Sequence, residues 1–431
     1  MPSPTEISLK AKSTGALTYY STYADARSAA NAHDVIQIWA DLDEQIVLKD
    51  GVDIWVAPGR ILKMTDSPTI TDNGSTCVCN IFGNAIIKNV FENTKHECLR
   101  ITDSDSQIYV SCDYLEAEGA ESDSRNAPTV YVSQATKFTL ICNEIINHIN
   151  SAVIISNCDD FLIKCKRIRS GIEDSEYKNL GAEVVYLNGI GSIFADELIC
   201  DGFGSCLSQA GGSIFAKISK VKSLEAGDPS YPTIFLGDGN QGQLMILYFD
   251  EIQNLNSNGG NAVTIEEGNA NLIGRSIYSM AGICLDLAAD ANIKCFEVKS
   301  DFVAIEVHNT SPKKIIVDAE IIEGNSYESA AINVIGGANF MLKNARSKNI
   351  QEGGSSNAIL LQPNFENMTV QLINVIAVSG NEEGFSIFCD PELGTPEVYN
   401  YGLFVNTAIA GFDLLVGTAY NNKYIESIDV S

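Results

Sequence analysis

Residues 130–147 (VYVSQATKFTLICNEIIN) and residues 153–170 (VIISNCDDFLIKCKRIRS) are two copies of one pattern. They align without a gap at an offset of 23 residues. The alignment matches Val130 with Val153, Phe138 with Phe161, and Cys142 with Cys165. A repeat of roughly 20–25 residues is typical of a solenoid, because one repeat is too small to bury its own apolar side. The pattern therefore predicts that the two segments stack on each other.

The repeated unit has the period of a β-strand. Apolar residues alternate with polar ones, and most of the apolar residues are β-branched or aromatic. The spacing recurs elsewhere in the chain. GSIFA at residues 191–195 returns at residues 212–216, and NLIGRSI at residues 271–277 aligns with NIKCFEV at residues 292–298. The sequence therefore predicts an all-β solenoid over residues 22–431, preceded by residues 1–21 as an N-terminal arm or docking segment.

A short helix is expected at residues 22–33, just before the first repeat. Thr22 can cap it, and Tyr23, Ala26 and Ala30 fall on one face. The end of a solenoid exposes unpaired backbone groups and apolar side chains, so an element that covers both is required. We therefore expect this helix to cap the first repeat, with Trp39 and Trp55 packed beneath it.

Residues 44–54 (EQIVLKDGVDI), which follow the helix, resemble the entry module of right-handed parallel β-helix proteins of the pectate-lyase-like superfamily. With its repeats, the chain from about residue 19 onward resembles bacteriophage tail-spike, tail-fibre and virion-decoration proteins of this fold. The resemblance implies a right-handed parallel β-helix with a short N-terminal capping helix. It also implies a homotrimer located in the virion, assembly in the bacterial cytoplasm, contacts to other virion proteins through the N-terminal arm, and binding of host surface polysaccharide.

Composition narrows the classes of function. The formal net charge is −27, which argues against a nucleic-acid-binding surface. No apolar run reaches the roughly 18–20 residues of a membrane span, and the first residues (MPSPTEISLK) do not form a secretory signal. The 12 cysteines form no CxxC pair, and several occupy apolar positions, which predicts buried free thiols. The four histidines lack zinc-site spacing, so no metal or cofactor is expected.

Long polar inserts recur at one phase of the repeat, after what the spacing indicates is its second strand. Inserts at one phase fall on one edge of a solenoid, which is often the binding edge. Glycoside hydrolysis needs two carboxyl groups that flank the scissile bond, and neighbouring repeats can supply them. The candidate catalytic residues are Asp123, Glu173, Asp174 and Glu176. The candidate carbohydrate-binding residues are Tyr177, Lys178 and Tyr231.

Three functions remain open at this level. The preferred one is a structural or host-contact protein of a virion that binds bacterial surface polysaccharide. The first alternative is a polysaccharide lyase or glycoside hydrolase on the same scaffold, which should gather acidic side chains with raised pKa values in a groove. The second alternative is a bacterial adhesin, which should carry a secretion signal or an anchor.

Overall fold

The computed structural model describes most of the chain in two units, Met1–Ile218 and Ser219–Ser431. Almost all of its regular structure is β-strand, so the all-β class predicted from the sequence is confirmed. No helix in the described part is long and apolar enough to span a membrane. The described residues are 6–90, 96–118, 127–171, 183–201, 204–224, 231–237, 243–309, 313–327, 329–337, 339–351, 357–364, 367–378, 387–389 and 397–401.

The first unit contains a short helix, α1 (Tyr23–Ala29), and a long series of strands. The strands are β1 (Ile7–Lys10), β2 (Leu17–Tyr20), β3 (Val35–Ile38), β4 (Ile46–Val47), β5 (Asp53–Val56), β6 (Ile61–Met64), β7 (Ile70–Thr71), β8 (Val78–Gly83), β9 (Ile86–Asn89), β10 (Leu99–Ile101), β11 (Gln107–Ser111), β12 (Tyr114–Ala117), β13 (Val130–Ser133), β14 (Lys137–Ile141), β15 (Glu144–Asn147), β16 (Val153–Ser170), β17 (Val185–Cys200) and β18 (Leu207–Ser223), whose last residues belong to the second unit.

The described elements of the second unit are all strands. They are β19 (Ile234–Leu236), β20 (Leu244–Asn254), β21 (Val263–Ile265), β22 (Asn269–Ile273), β23 (Ser276–Ser279), β24 (Leu285–Leu287), β25 (Asp290–Ser300), β26 (Ile305–Asn309), β27 (Lys314–Gly324), β28 (Ala330–Gly336), β29 (Asn339–Lys343), β30 (Arg346–Asn349), β31 (Asn357–Gln362), β32 (Thr369–Ile373), β33 (Ile376–Val378), β34 (Ile387–Cys389) and β35 (Glu397–Tyr401).

Strands of the first unit pair in three parallel series. One series runs β7, β10, β13; the second runs β8, β11, β14; the third runs β6, β9, β12, β15. The long strand β16 then pairs with β13, β14 and β15 at successive positions along its length. Its register places Val153 beside Val130, Phe161 beside Phe138 and Ile168 beside Ile145, so the alignment of residues 130–147 with residues 153–170 is confirmed.

The second unit has the same organisation. Its first series runs β19, β21, β24, β26, β28, β31, β34, and its second runs β22, β25, β27, β29, β32, β35. The third series runs from β23 through the later parts of β25 and β27 to β30 and β33. Asn271 lies beside Asn292 and Ile277 beside Val298, as the alignment of residues 271–277 with residues 292–298 predicts.

The core is built from inward residues, each of which packs against a chemically similar residue in the neighbouring strand. In β14, Phe138 and Leu140 are buried, whereas Thr139 between them is half-buried on the opposite face. Phe161 continues the stack on Phe138 in the neighbouring strand. Both phenylalanine side chains are almost completely inaccessible to water. Burial of an aromatic side chain of this size contributes about 1.5–3 kcal/mol of transfer free energy, so these stacks are a main source of stability.

Buried asparagines close the turn after several third-series strands. Asn147 ends β15, and its Nδ2 donates to the carbonyl of Ala127 at 3.0 Å, while its Oδ1 accepts from the Asn150 amide at 2.6 Å. In the second unit, Asn349 ends β30, and its Nδ2 donates to the Ser326 carbonyl at 3.0 Å. A buried polar side chain is tolerated when it is hydrogen-bonded. These amides therefore fix the path of the backbone where each repeat turns to the next.

The polar inserts begin at one phase of the repeat, as the sequence predicts, but after a different strand. In the first unit they follow β12 and β16, and in the second unit they follow β20, β27, β30 and β33, all in third-series positions. Each repeat thus has three strands, so the inserts follow the third strand and not the second. In the sequence the second and third strands read as one alternating run, because only two residues separate β14 from β15 and β16 continues through all three series without a break.

The capping helix is shorter than predicted, because distant residues determine where it ends. It spans Tyr23–Ala29 and not residues 22–33. The Thr22 side chain caps the N-terminal end by accepting from the Asp25 amide at 3.1 Å, as expected. At the other end, Lys49 Nζ donates to the carbonyls of Arg27 (2.9 Å) and Ala30 (2.6 Å), which supplies partners that further helical turns would otherwise provide.

Residues 44–54, called the entry run below, also bind the N-terminal end of the helix. Glu44 Oε2 accepts from the backbone amide of Tyr23 at 2.9 Å, and the Tyr23 hydroxyl donates to the carbonyl of Val47 at 2.9 Å. Burial raises the pKa of Tyr23 far above its ordinary value, so this hydroxyl remains protonated. Residues 44–49 and the helix therefore fold as one capping module.

Residues 1–21, predicted from the sequence to be an N-terminal arm or docking segment, include two strands. β1 forms an antiparallel hairpin with β2 and also pairs antiparallel with β3. Ile7 and Leu9 of β1 are buried. The hairpin thus satisfies the free edge of β3, which would otherwise expose unpaired backbone groups.

Trp39 and Trp55 do not lie beneath the helix, so that expectation is wrong. Alternation in β3 and β5 directs Ile36, Ile38 and Ile54 inward, and it places both tryptophans on the outer face. Their ring centroids are 4.7 Å apart in an edge-to-face arrangement, and Trp39 Nε1 donates to Ser8 Oγ at 3.0 Å. Trp39 remains 44% exposed.

The prediction for the cysteines is confirmed where the structure describes them. Eleven cysteines have side chains that the structure describes, and all of them are buried thiols outside any disulfide. They act as small apolar residues at inward positions.

We predict that Lys49→Met destabilises the protein by about 1–2 kcal/mol, because it removes charge-assisted hydrogen bonds to the end of α1. The matched control is Lys63→Met, since Lys63 is a half-buried lysine in β6 without an ion pair among the described residues. Urea unfolding measures both variants. Equal losses of stability in the two variants would contradict the capping role of Lys49.

We predict that Phe161→Ala costs about 3–5 kcal/mol in the free energy of unfolding, because it opens a cavity in the stack with Phe138. Leu162→Ala, one residue away on the outer face, should cost much less. Denaturant titration compares them, and a larger effect at Leu162 would mean that the inward and outward faces are assigned incorrectly.

Candidate functional site

A row of polar side chains runs across the first series of the second unit. The second residues of β21, β24 and β26 and the fourth residue of β28 are neighbours in the parallel register, and the first and last of these four are buried. These residues, called the polar row below, are Thr264, Asp286, Glu306 and Asn333. Phe235 in β19 precedes the row and Leu360 in β31 follows it. Asp286 and Glu306 are partly exposed and lie at strand spacing, about 4.8 Å, whereas Thr264 and Asn333 beside them are only 6% and 5% exposed.

Asp286 is the most heavily bonded member of the polar row. Its Oδ2 accepts from Asn261 Nδ2 at 2.8 Å, and its Oδ1 lies 2.5 Å from Nε2 of His308. Asn261 Nδ2 also donates to Thr264 Oγ1 at 3.1 Å. The Asp286 side chain is only 14% exposed. These contacts hold its carboxylate in one orientation, with a donor on each oxygen.

His308 is favoured in its charged form. Its hydrogen bond to Asp286 raises its pKa above the ordinary value, and the negative charges of Glu306 and Glu266 act in the same direction, against the effect of burial. The imidazole is about half exposed. A protonated His308 therefore adds a cationic donor beside the two carboxylates of the polar row.

Glu306 makes the second set of contacts in the row. Asn333 Nδ2 donates to Glu306 Oε2 at 3.3 Å, and Ser329 Oγ donates to Asn333 Oδ1 at 2.9 Å. Two acidic residues side by side on neighbouring strands repel each other. The donors Asn261, His308 and Asn333 offset that repulsion. The arrangement is that of a preorganised set of acceptors and donors, which suits recognition of hydroxyl groups.

The first unit carries an aromatic row at the equivalent strand position. Arg100, Tyr131, Ile154 and Tyr186 are successive neighbours in β10, β13, β16 and β17. The Arg100 guanidinium lies 5.9 Å from the centroid of the Tyr131 ring. Tyrosine rings that are half-buried offer an apolar face together with a polar hydroxyl. This row can therefore stack on an apolar face of a ligand.

A charged cluster lies on the third series of the first unit. Glu116 binds Lys88 Nζ at 2.6 Å and His148 Nε2 at 2.9 Å. Burial acts to raise the pKa of Glu116, but the hydrogen bonds from Lys88 and His148 prevail and lower the pKa below its ordinary value. A carboxyl group held ionised in this way cannot act as a general acid at neutral pH. The cluster is therefore a structural ion-pair network.

A cavity of about 820 Å³ lies in the first unit, near the N-terminal hairpin. Lys10 and Lys12 line one part of it, and Asp50 and Asp53 line another. The carboxylates already bind neighbouring strands, because Asp50 accepts from the Val78 amide at 3.0 Å and Asp53 accepts from the Asn80 amide at 2.9 Å. The cavity thus follows from the packing of the hairpin against the first repeats.

Most candidate site residues from the sequence fall in the inserts. Asp123, Glu173, Asp174, Glu176, Tyr177 and Lys178 lie outside the described residues. Tyr231 is described, and it is half-buried just before β19, the strand that carries Phe235. No group of three or more histidine, cysteine or acidic side chains within the described ranges is arranged to hold a metal ion.

The sequence contains a pattern for the polar row, but hydrophobic periodicity does not detect it. VTI (Val263–Ile265), LDL (Leu285–Leu287) and the IEV of β26 each place one polar residue between two aliphatic residues. A strand of three residues shows only one alternation, which is too short for periodicity to detect. The pattern becomes visible only when the three segments are aligned by their repeat.

Comparisons with protein-family models, with curated proteins and with solved structures found no match to this chain. No catalytic or binding residues can therefore be carried over from a relative. The surface rows, the cavity and the ion pairs described above are the observations on which a function can be based.

We predict that the His308–Asp286 contact stabilises the protein most at acidic to neutral pH. The folded-state pKa of His308 is raised, so its contribution is complete below the unfolded-state value of about 6.5 and is lost as the pH rises through the folded value. The stability difference between the wild type and His308→Gln should therefore shrink from pH 5.5 to pH 8.5, as measured by urea unfolding.

The control for this prediction is His33→Gln, which alters an exposed histidine without an ion pair among the described residues. Its effect on the free energy of unfolding should be small, because the His33 side chain is exposed. An NMR titration that gave His308 a pKa at or below 6.5 would contradict the prediction directly.

Proposed function

We propose that this protein is a host-contact protein of a bacteriophage virion, of the tail-spike or tail-fibre kind, that binds bacterial surface polysaccharide. We propose further that its units are right-handed parallel β-helices and that the protein acts as a homotrimer. The polar row is the observation that carries the binding proposal. The resemblance of the entry run and repeats to such virion proteins supports the viral part.

The chemistry of the polar row fits an extended, hydroxyl-rich polymer. Its two partly exposed carboxylates, Asp286 and Glu306, are one strand spacing apart, about 4.8 Å, and exposed His308 lies beside them, so neighbouring hydroxyl groups of one chain can be bound together. Phe235 and Leu360 at its ends supply apolar contact. Saccharide rings combine hydroxyl groups with apolar faces, and this surface offers partners for both.

The negative charge of the protein restricts which charge a polysaccharide ligand can carry. Two of the four members of the polar row are acidic, and the whole chain has a formal net charge of −27. An acidic polysaccharide would be repelled, whereas an uncharged one would not. We therefore propose a neutral or amino-sugar-containing polysaccharide as the ligand.

Binding is tested with a panel of purified bacterial capsular and O-antigen polysaccharides in affinity electrophoresis. Glu306→Gln keeps the shape of the side chain but removes its charge, and we predict that it weakens binding about tenfold or more, as loss of a charged hydrogen bond does. The matched control is Glu320→Gln, because Glu320 is an exposed glutamate of β27 outside the polar row. Equal binding by the two variants would exclude the polar row as the site.

A second candidate function is cleavage of the bound polysaccharide. Asp286 and Glu306 are carboxyl-bearing residues on neighbouring strands, which is an arrangement that glycoside hydrolysis can use. The same panel distinguishes the two functions. Release of reducing sugar, or of ultraviolet-absorbing unsaturated sugar, that is lost in Glu306→Gln would favour the enzyme; binding without release would favour the host-contact protein. Light scattering of the purified protein tests the homotrimer.

A further inference from the structure

Three buried thiols occupy the same corner of successive repeats in the first unit. Cys112 follows β11, Cys142 follows β14, and Cys165 lies at the matching position of β16. The Cys112 amide donates to the Ile141 carbonyl at 3.1 Å, and the Cys142 amide donates to the Lys164 carbonyl at 3.0 Å. Backbone hydrogen bonds thus place the three cysteines on neighbouring rungs.

Cys142 and Cys165 are in direct contact through their sulfurs. The two Sγ atoms are 3.5 Å apart. Neighbouring parallel strands lie about 4.8 Å apart, which is within the Cα separation of roughly 4.4–6.8 Å that a disulfide requires. Only small side-chain rotations are needed to bring the sulfurs to bonding distance, and the backbone can stay in place.

We propose that Cys142 and Cys165 form a site of oxidative modification, where an oxidant of the peroxide class converts the two thiols into a disulfide between neighbouring repeats. In the first step one thiol loses its proton, the resulting thiolate attacks an oxygen of hydrogen peroxide, and the O–O bond breaks to give a sulfenic acid and hydroxide, which takes up the released proton to form one water. The second thiol then displaces the sulfenic oxygen as a second water. The two sulfurs lose two electrons in total, and the peroxide gains them.

The site is protected under ordinary conditions. Each of the two residues is only 8% exposed. The neighbouring thiol of Cys112, together with burial, raises the pKa of Cys142, and contact with Cys142 together with burial raises the pKa of Cys165. The reactive thiolate is therefore scarce, so the pair stays reduced until it meets an oxidant for a prolonged time.

The disulfide would tie one repeat to the next. It would close a loop across the 23-residue separation of Cys142 and Cys165, and closing such a loop stabilises a fold mainly by restricting its unfolded state. The modification would thus strengthen the stack after the chain has folded with reduced thiols. It does not depend on saccharide binding, because the cysteines and the polar row belong to different units.

The test treats the folded wild-type protein with hydrogen peroxide at mildly alkaline pH. The sample is then quenched with acid, unfolded, alkylated with iodoacetamide and mapped by mass spectrometry. We expect loss of alkylation at Cys142 and Cys165 together, a linked pair of peptides that contain them, a mass loss of two hydrogens, and a higher melting temperature than the reduced protein.

Two cysteine variants test whether the disulfide links Cys142 and Cys165 and not a neighbouring cysteine. Cys158→Ala, which alters another buried cysteine nearby, should leave the linked peptides in place, whereas Cys142→Ala should remove them. Full alkylation of Cys142 and Cys165 after oxidation would overturn the proposal, and so would a link from Cys142 to Cys112. If Cys142→Ala does not fold, the peptide map of the wild type still decides.

Discussion

Backbone hydrogen bonding between parallel strands in strict register is the constraint on which the rest of this structure depends. A shift of one residue would exchange the inward and outward faces of a strand, so each inward position must repeat its chemistry on the next strand. Phe161 beside Phe138 and Ile168 beside Ile145 are the result. The register also explains where the chain tolerates extra length. Tyr114 and Glu144 are neighbours 30 positions apart, whereas Asn271 and Asn292 are neighbours 21 positions apart, and the difference is taken up outside the strands.

The constraint creates two places where backbone groups lack a partner, and the structure supplies side chains at both. At the start of the first unit, β1 covers the edge of β3, and Glu44 and Lys49 bind the two ends of the capping helix. At the turns between repeats, buried asparagines such as Asn147 and Asn349 bind backbone carbonyls. Both solutions satisfy buried polar groups, which would otherwise cost about 1–3 kcal/mol each.

Function is left to the outward positions, because packing fixes the inward ones. In the short strands of the second unit, single outward residues stand side by side, and their chemistry is free to vary. Asp286 and Glu306 are two acidic residues at such positions, and their carboxylates repel each other. Hydrogen bonds from Asn261, His308 and Asn333 offset this repulsion. Such locally unfavourable arrangements of charge occur more often at functional surfaces than at purely structural ones.

Four features follow from local chemistry or from a direct repeat and could be predicted from the amino-acid sequence: the strand period, the alignment of residues 130–147 with residues 153–170, the capping role of Thr22 and the burial of the cysteines. The other features depend on contacts between residues that are distant in the chain. The helix ends at Ala29 because Lys49, twenty residues later, reaches its last carbonyls. Trp55 faces outward because of its phase in β5, and Trp39 does so directly after β3. The polar row forms because the register brings together residues 20 to 27 positions apart. Contacts of this kind are set by how strands pair, and no local pattern records that pairing.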